Sequence, residues 1–314
     1  MNNDEIKASG RPIVASVSGG KDSIAMALWL REQGFEETNE VHYVWADTGW
    51  EHPVLYEYIE STVKPLLGER FHRVVSEKYP KGLPDMVVQK GAFPSRRFRF
   101  CTDELKKKPI VSYIKGLGND PLPINAIGIR AAESMARSKM DRWEPGTIFG
   151  KNICDTWRPL IHFVVQDVID IHHRHNVRPC PLYLRDKYPS QRVGCWPCIM
   201  SKKSEIRAVA ETDPGRLVQI RKLEEKVAER AAERLAQTGE TFESRGIGKP
   251  SLFQAKTGKT GECWPIDKVV QWAKTEKGGY QYGLELFTPA DPSERGCTLW
   301  ALCDVPDENG DFSD

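Results

Sequence analysis

The first half of the chain alternates short apolar runs with segments of helical spacing. Residues 12–17 form a near-continuous apolar stretch, the pattern of a strand covered on both faces. Residues 22–33, with Ile24, Leu28 and Leu30, predict the helix that follows. Val41–Ala46 predicts a second strand, Val54 to Leu67 a helical segment interrupted or ended near Pro65, Phe71 to Val75 a third strand and Leu122 to Ile129 a fourth. Trp157 to Phe163 reads as an irregular edge, followed by a helix over Asp167 to His173. Strands alternating with helices predict an α/β fold with a mostly parallel sheet. In such sheets ligands sit beyond the carboxyl ends of the strands, where Ser18, Asp47 and Arg130 fall.

The pattern changes near Met200. Residues 202–210 and 216–237 are rich in Glu, Lys, Arg and Ala, and Leu217, Ile220, Val227, Ala231 and Leu235 form a helical stripe. Residues 241–262 read as loop, Trp264 to Trp272 as a short helix, and the stretch from Asp304 as an acidic, frayed tail. The expected organisation is a nucleotide-binding domain over 1–205 and a smaller, mainly helical region over 206–314, with a soft boundary near 200–212.

Length and charge narrow the classes. A chain of 314 residues has room for one large α/β domain and an addition. Lys and Arg number 45 against 44 Asp and Glu, so no global basic field marks a nucleic-acid binder. No apolar run approaches membrane-spanning length, and the polar start Met1–Glu5 is unlike a signal peptide. The cytoplasm is the expected compartment. Eight cysteines in a reducing compartment suggest metal, redox or sulfur chemistry rather than a disulfide framework.

The strongest chemical signal is Ser18-Gly19-Gly20-Lys21-Asp22-Ser23 between the first strand and its helix. The glycines let backbone N–H groups approach an anion, the helix end adds unpaired donors, and Lys21 brings a mobile charge. The lysine follows the glycines too closely for the kinase-type phosphate loop. The spacing resembles the PP-loop of ATP pyrophosphatases.

Asp47-Thr48-Gly49 ends the second strand, where the Asp47 carboxylate could hold Mg²⁺ on the phosphates, contact the nucleotide, or form a turn. Gly128 permits close approach near a strand end, Arg130 suits a phosphate, and Glu133 suits the ligand, a cap or a pair with Arg130.

Residues 96–108 hold six positive charges and two phenylalanines, including Arg96, Arg97 and Arg99. This pattern fits either a phosphate-bearing partner, even a nucleic acid, or a solvated helix face with buried phenylalanines. Cys195-Trp196-Pro197-Cys198 is a close thiol pair that could grip zinc or iron or cycle as a dithiol. Cys101, Cys154 and Cys180 are possible distant partners, with unliganded core cysteines as the alternative. Cys263, Cys297 and Cys303 lie further on, and Arg295 beside Cys297 could lower its thiol pKa.

Ser18 to Ser23, Asp47 to Gly49, Cys101 to Lys106, Gly128 to Ser134, Trp157 to Leu160, Asp167-Val168, Pro181 to Tyr183 and Arg192 to Cys198 together resemble the phosphoadenosine-phosphosulfate reductase family, over about residues 12–200. That family lies within the adenine-nucleotide α-hydrolase superfamily. The resemblance implies a Rossmann-like fold and an adenine nucleotide, ATP or an adenylyl sulfate, at Ser18, Gly19, Gly20, Lys21, Asp22 and Ser23. Asp47, Thr48, Gly128, Arg130 and Glu133 would complete the nucleotide site, with Mg²⁺ for ATP.

Cys101, Cys195 and Cys198 look like the cysteine set that holds a [4Fe–4S] cluster in several branches, with zinc as the alternative. Cys180 is the first choice for a fourth ligand, ahead of Cys154 and Cys263. Thr102 after Cys101 is most similar to the DndC-like branch of DNA phosphorothioation, since adenylyl-sulfate reductases carry a double cysteine there. The reductases also carry a catalytic cysteine in a Glu-Cys-Gly-Leu-His motif, which this sequence lacks.

The expected activity is ATP-dependent sulfur incorporation. Lys21, Asp47, Arg130 and Cys297 would be catalytic, with a nucleic-acid acceptor at residues 96–108 and a sulfur-donor protein as partner. The alternatives are reduction of a sulfonucleotide to sulfite by Cys297, and a non-catalytic nucleotide-binding subunit.

Overall fold

A computed structural model describes residues 1–118, 120–146, 154–183, 193–253, 256–257 and 262–275. Arg192, Cys297, Cys303 and the acidic tail lie outside these described residues.

The apolar run becomes β1 (Ile13–Ser16), the centre of the sheet. It pairs in parallel with β2 (Val41–Ala46) on one side and β4 (Ile124–Ile127) on the other. The outer strands are β3 (Phe71–Val74), β5 (Trp143–Glu144) and β6 (Asp155–Trp157), in the order β3-β2-β1-β4-β6-β5. Every pairing is parallel except β5 on β6. The register sets Ser16 against Val44 and Ile127, so the chain leaves β1, β2 and β4 at one edge. This is a Rossmann-like α/β arrangement with a helical C-terminal region.

One face is covered by helices Lys21–Glu32 and Val165–Arg174, with Trp29, Phe35 and Trp157 in ring contact. The other face packs Val14 and Val44 under Val111 and Ile114 of helix Lys108–Gly116. A second core joins helix Leu83–Lys90, Leu105 and Trp196 to helices Lys203–Thr212, Pro214–Ala236 and Ile266–Lys274. The C-terminal helices thus share an interior with residues from before position 205.

Two prolines show why apolar periodicity alone misplaces helix ends. The segment from Pro53 runs on through Pro65, passing from Pro53–Tyr58 through a wide turn over Ile59–Val63 into Lys64–Leu67. In the wide turn the Lys64 N–H reaches back to the Ile59 carbonyl, and Pro65 falls in the first turn of the next helical piece. There its missing N–H costs little. The same device recurs with the wide turn Asp103–Lys107 before Pro109. That helical stretch, helix Leu83–Lys90 and the hairpin Lys256–Thr257/Glu262–Cys263 were not legible from apolar periodicity. Trp157 closes an ordered parallel strand, and the irregular backbone begins only after it.

Candidate functional site

The loop after β1 is held open from within. Gly19 has φ +75°, and a Cβ there would lie 2.5 Å from Leu55 Cδ1. Ser23 Oγ accepts from the Ser18 N–H at 3.0 Å and donates to the Gly20 carbonyl at 2.9 Å, closing the turn onto the helix. No described residue accepts from the N–H groups of Gly19 and Asp22. Gly19 and Asp22 are themselves buried, and Ser18 beside them is exposed. Unpaired amides at the N-terminus of a twelve-residue helix are the donors that a cradle for an anion would use.

The Lys21 N–H is taken by the Tyr183 hydroxyl at 3.1 Å, and the Lys21 ammonium lies 5.2 Å from the Tyr183 ring centroid. His172 supports the loop from behind, its Nε2 2.9 Å from the Lys21 carbonyl and its Nδ1 2.9 Å from the Val177 carbonyl. Burial depresses the His172 pKa, outweighing the opposite pull of these two carbonyls.

Gly128 and Arg130 meet this loop directly. A Cβ at Gly128 would lie 2.8 Å from the Asp22 carbonyl, so only glycine lets the end of β4 pass the helix. Arg130 is buried and its Nε donates to Asp22 Oδ1 at 2.5 Å. The guanidinium is therefore engaged first by a carboxylate, and it pins the helix N-terminus to β4. Glu133 accepts from the Arg130 N–H at 2.8 Å and pairs with Arg137, so in this structure it acts as a cap.

Asp47 follows β2 and is buried. Its Oδ1 accepts from the Gly49 N–H and the Tyr56 hydroxyl, both at 2.8 Å, and its Oδ2 accepts from Arg73. Both oxygens are thus committed within the protein, which does not fit a direct Mg²⁺ ligand as the side chain stands. Thr48 donates to Glu51 Oε2 at 2.6 Å and lies 3.7 Å from Cys195 Sγ, linking the nucleotide edge to the thiols. Apolar periodicity gave no sign of Tyr56, Glu51, Tyr183 and His172. Tyr56 and Glu51 bond the Asp47–Thr48 turn and Tyr183 and His172 bond Lys21, relations that a linear pattern does not show.

Three of the expected cysteines gather. Residues 194–196 are tied to residues 50–52 by backbone bonds from His52 to Gly194 and from Trp196 to Trp50. The Trp50 indole donates to the Pro197 carbonyl at 3.2 Å. Cys101, Cys195 and Cys198 all act electrostatically on Lys106. Burial would depress its pKa, but these thiols and Glu51 raise it overall. Burial pushes the Cys195 thiol up to about 12, although Lys106 opposes this, and it also raises Cys101.

Cys180, the expected fourth ligand, lies in a different hydrophobic cluster from the trio. Cys180 packs in the same core as helix Lys21–Glu32, with Tyr58 and Tyr183. Cys154 lies in the third core, and Cys263 borders a groove beside helix Pro214–Ala236. Each is accounted for by packing or placement outside the trio. Among the described residues no three His, Cys, Asp or Glu side chains are gathered tightly enough to hold a metal ion. The described residues therefore do not supply a four-thiolate site.

Residues 96–108 divide into three parts. Lys107 and Lys108 pair one turn back with Asp103 and Glu104. Lys106 faces the thiols, and Phe100 packs on the second core. Arg96, Arg97, Phe98 and Arg99 are exposed.

Comparison with known proteins shows the family of the chain. The model of the phosphoadenosine phosphosulfate reductase domain matches residues 12–201, more than half the chain. A curated relative, the uncharacterized 37.8 kDa protein of the gpa 5′ region of Escherichia phage 186, is 29% identical over 86% of this chain and 90% of its own. The nin region protein ORF290 of Escherichia phage lambda is 37% identical over 38% of this chain and 48% of its own. Among solved structures, the phosphoadenylyl-sulfate reductase of Candida auris in a phosphate complex is 16% identical. It covers 59% of this chain and 81% of its own, with a TM-score of 0.42. The U34-tRNA thiolase NcsA of Methanococcus maripaludis, with its [4Fe–4S] cluster, is 14% identical. It covers 82% of this chain and 86% of its own, with a TM-score of 0.41. The chain belongs to the phosphoadenosine phosphosulfate reductase domain family.

Proposed function

We propose that this chain binds the phosphosulfate or polyphosphate of an adenine nucleotide at Ser18–Ser23 and breaks a bond at that group. The first reading is reduction of a sulfonucleotide to sulfite. The observation that carries it is an open amide cradle beside Lys21, within a family match that also spans the thiol trio.

The loop amides and Lys21 hold the nucleotide phosphate, which becomes the leaving group. The Asp22–Arg130 pair fixes the cradle rather than touching the sulfur. A thiolate, with Cys297 as the candidate, attacks the sulfur. The S–O bond breaks and the nucleotide phosphate departs with the electron pair, leaving a cysteine-bound sulfonate. A second thiol then attacks the cysteine sulfur, releases sulfite and leaves a disulfide, which an external dithiol reduces. No step is routed through Mg²⁺, zinc or an iron–sulfur cluster, because the described residues do not assemble a site that fits one.

A second reading is ATP-dependent adenylation of an acceptor for sulfur incorporation, as in the DndC-like branch. Thr102 after Cys101 and the lack of a Glu-Cys-Gly-Leu-His segment favour it. An anaerobic assay with adenosine phosphosulfates and dithiothreitol separates the two. Sulfite that disappears in Cys297→Ser supports reduction. Pyrophosphate and AMP formed from ATP, without sulfite, support adenylation. Nucleotide binding with no product under either condition overturns both and leaves a binding subunit.

A further inference from the structure

We propose that the turn over Ser95–Arg99 is a docking surface for single-stranded nucleic acid, with Phe98 stacking on an unpaired base and three arginines holding the backbone. The turn is closed by a Ser95 N–H bond to the Phe98 carbonyl at 3.1 Å and a Phe98 N–H bond to Ser95 Oγ at 3.0 Å. It lifts Phe98 to 71% exposure, unusual for a large apolar ring.

The neighbouring cations are all spoken for. Lys90, Lys107 and Lys108 face Glu104 or Asp103, and Lys106 faces the thiols. Arg96, Arg97 and Arg99, by contrast, have no acidic partner among the described residues. Phe100, two residues on, packs inward, so Phe98 is not part of a buried stripe.

Three exposed arginines next to an exposed ring in sequence, with no acidic partner among the described residues, match alternating phosphates and bases. A duplex offers no free base face for the ring, and an acidic peptide offers charge but nothing to stack. The whole chain carries a net charge of only +1, so the attraction would be local. The carbonyl of Arg99 accepts the Thr102 N–H in the turn that carries Cys101, which places a docked strand beside the thiols. The proposal goes beyond the nucleotide reading and does not depend on it.

The test is fluorescence anisotropy of the full chain with a labelled oligothymidylate of about twenty nucleotides, a duplex of equal length, and polyglutamate. The single strand should bind best. Phe98→Ala should weaken it about tenfold, and Phe98→Trp should retain it. Joint replacement of Arg96, Arg97 and Arg99 by Ala should abolish binding at moderate salt and lower the slope of log K against log salt by about 2. Lys107→Ala with Lys108→Ala should change little. Equal binding of polyglutamate or duplex, no effect of Phe98→Ala, or full displacement by ATP would overturn the proposal. ATP binding by the same preparations, unchanged in the Phe98 and arginine variants, keeps the two readings separable.

Discussion

The glycine loop and the thiol trio lie at the same carboxyl edge of the sheet, yet they are assembled in opposite ways. The loop is a run of adjacent residues whose one buried charge, Asp22, is matched by Arg130 across a 2.5 Å contact. The trio joins Cys101 to residues 195 and 198, far along the chain, around a single cation, Lys106. In the loop the protein neutralises its own charge and leaves amide donors for a guest. In the trio, burial raises the pKa of the Cys101 and Cys195 thiols and Lys106 opposes it. In the proposed function the loop receives an anion, whereas the trio surrounds a cation, Lys106.

Closing the backbone at this edge should produce the largest effect. Gly82 has φ +71°, and a Cβ there would lie 1.9 Å from the Thr48 carbonyl, against 2.8 Å for Gly128 and the Asp22 carbonyl. Gly82→Ala should cost about 4 kcal/mol and Gly128→Ala about 2 kcal/mol, read from urea unfolding. Equal costs would mean that the two approaches are not the rigid contacts described.

Removing one charge from the loop comes next. Arg130→Met leaves buried Asp22 with the Lys21 ammonium alone, 3.4 Å away, and should cost about 2 kcal/mol. Adding Asp22→Asn should recover part of the loss, giving a coupling that a double-mutant cycle measures. Additive losses would contradict the pairing.

The trio should respond in reactivity rather than stability. Lys106→Met removes the one cation that lowers the Cys195 pKa, so alkylation of Cys195 by iodoacetamide at pH 8.5 should slow about tenfold. An unchanged rate would show that Lys106 does not act on the trio.

The smallest effect concerns the joint between the regions. His52 Nδ1 accepts from the Val54 N–H at 3.0 Å and the ring lies 4.5 Å from Trp196. Burial depresses its pKa from 6.5 to about 4. The neutral ring is favoured in the fold, so its contribution is present above pH 6.5 and is lost as pH falls through 6.5 toward 4. His52→Asn keeps an acceptor and should flatten the fall of the urea midpoint over that range.

The contrast between the regions also explains what the sequence could reveal. Strands at 12–17 and 41–46 and the loop between Ser18 and Ser23 were legible because their signals are local: an apolar run, two glycines, a lysine. Cys101, Cys195 and Cys198 were legible as thiols, but proximity in sequence does not show that Cys180 packs in another core. Lys106 looked like one charge in a basic run, and only the wide turn Asp103–Lys107 accounts for its separation from Lys107 and Lys108. Tyr183 and His172 reach Lys21 from more than 150 positions away, a relation no periodicity encodes.

The account rests most on the cradle at Ser18–Ser23, and isothermal titration with ATP and adenosine phosphosulfate tests it directly. The intact chain should bind at least one of them, Lys21→Ala should weaken that binding at least about tenfold, and Cys101→Ser should leave it unchanged. No binding of either nucleotide by folded protein, or equal affinity in Lys21→Ala, would contradict the account.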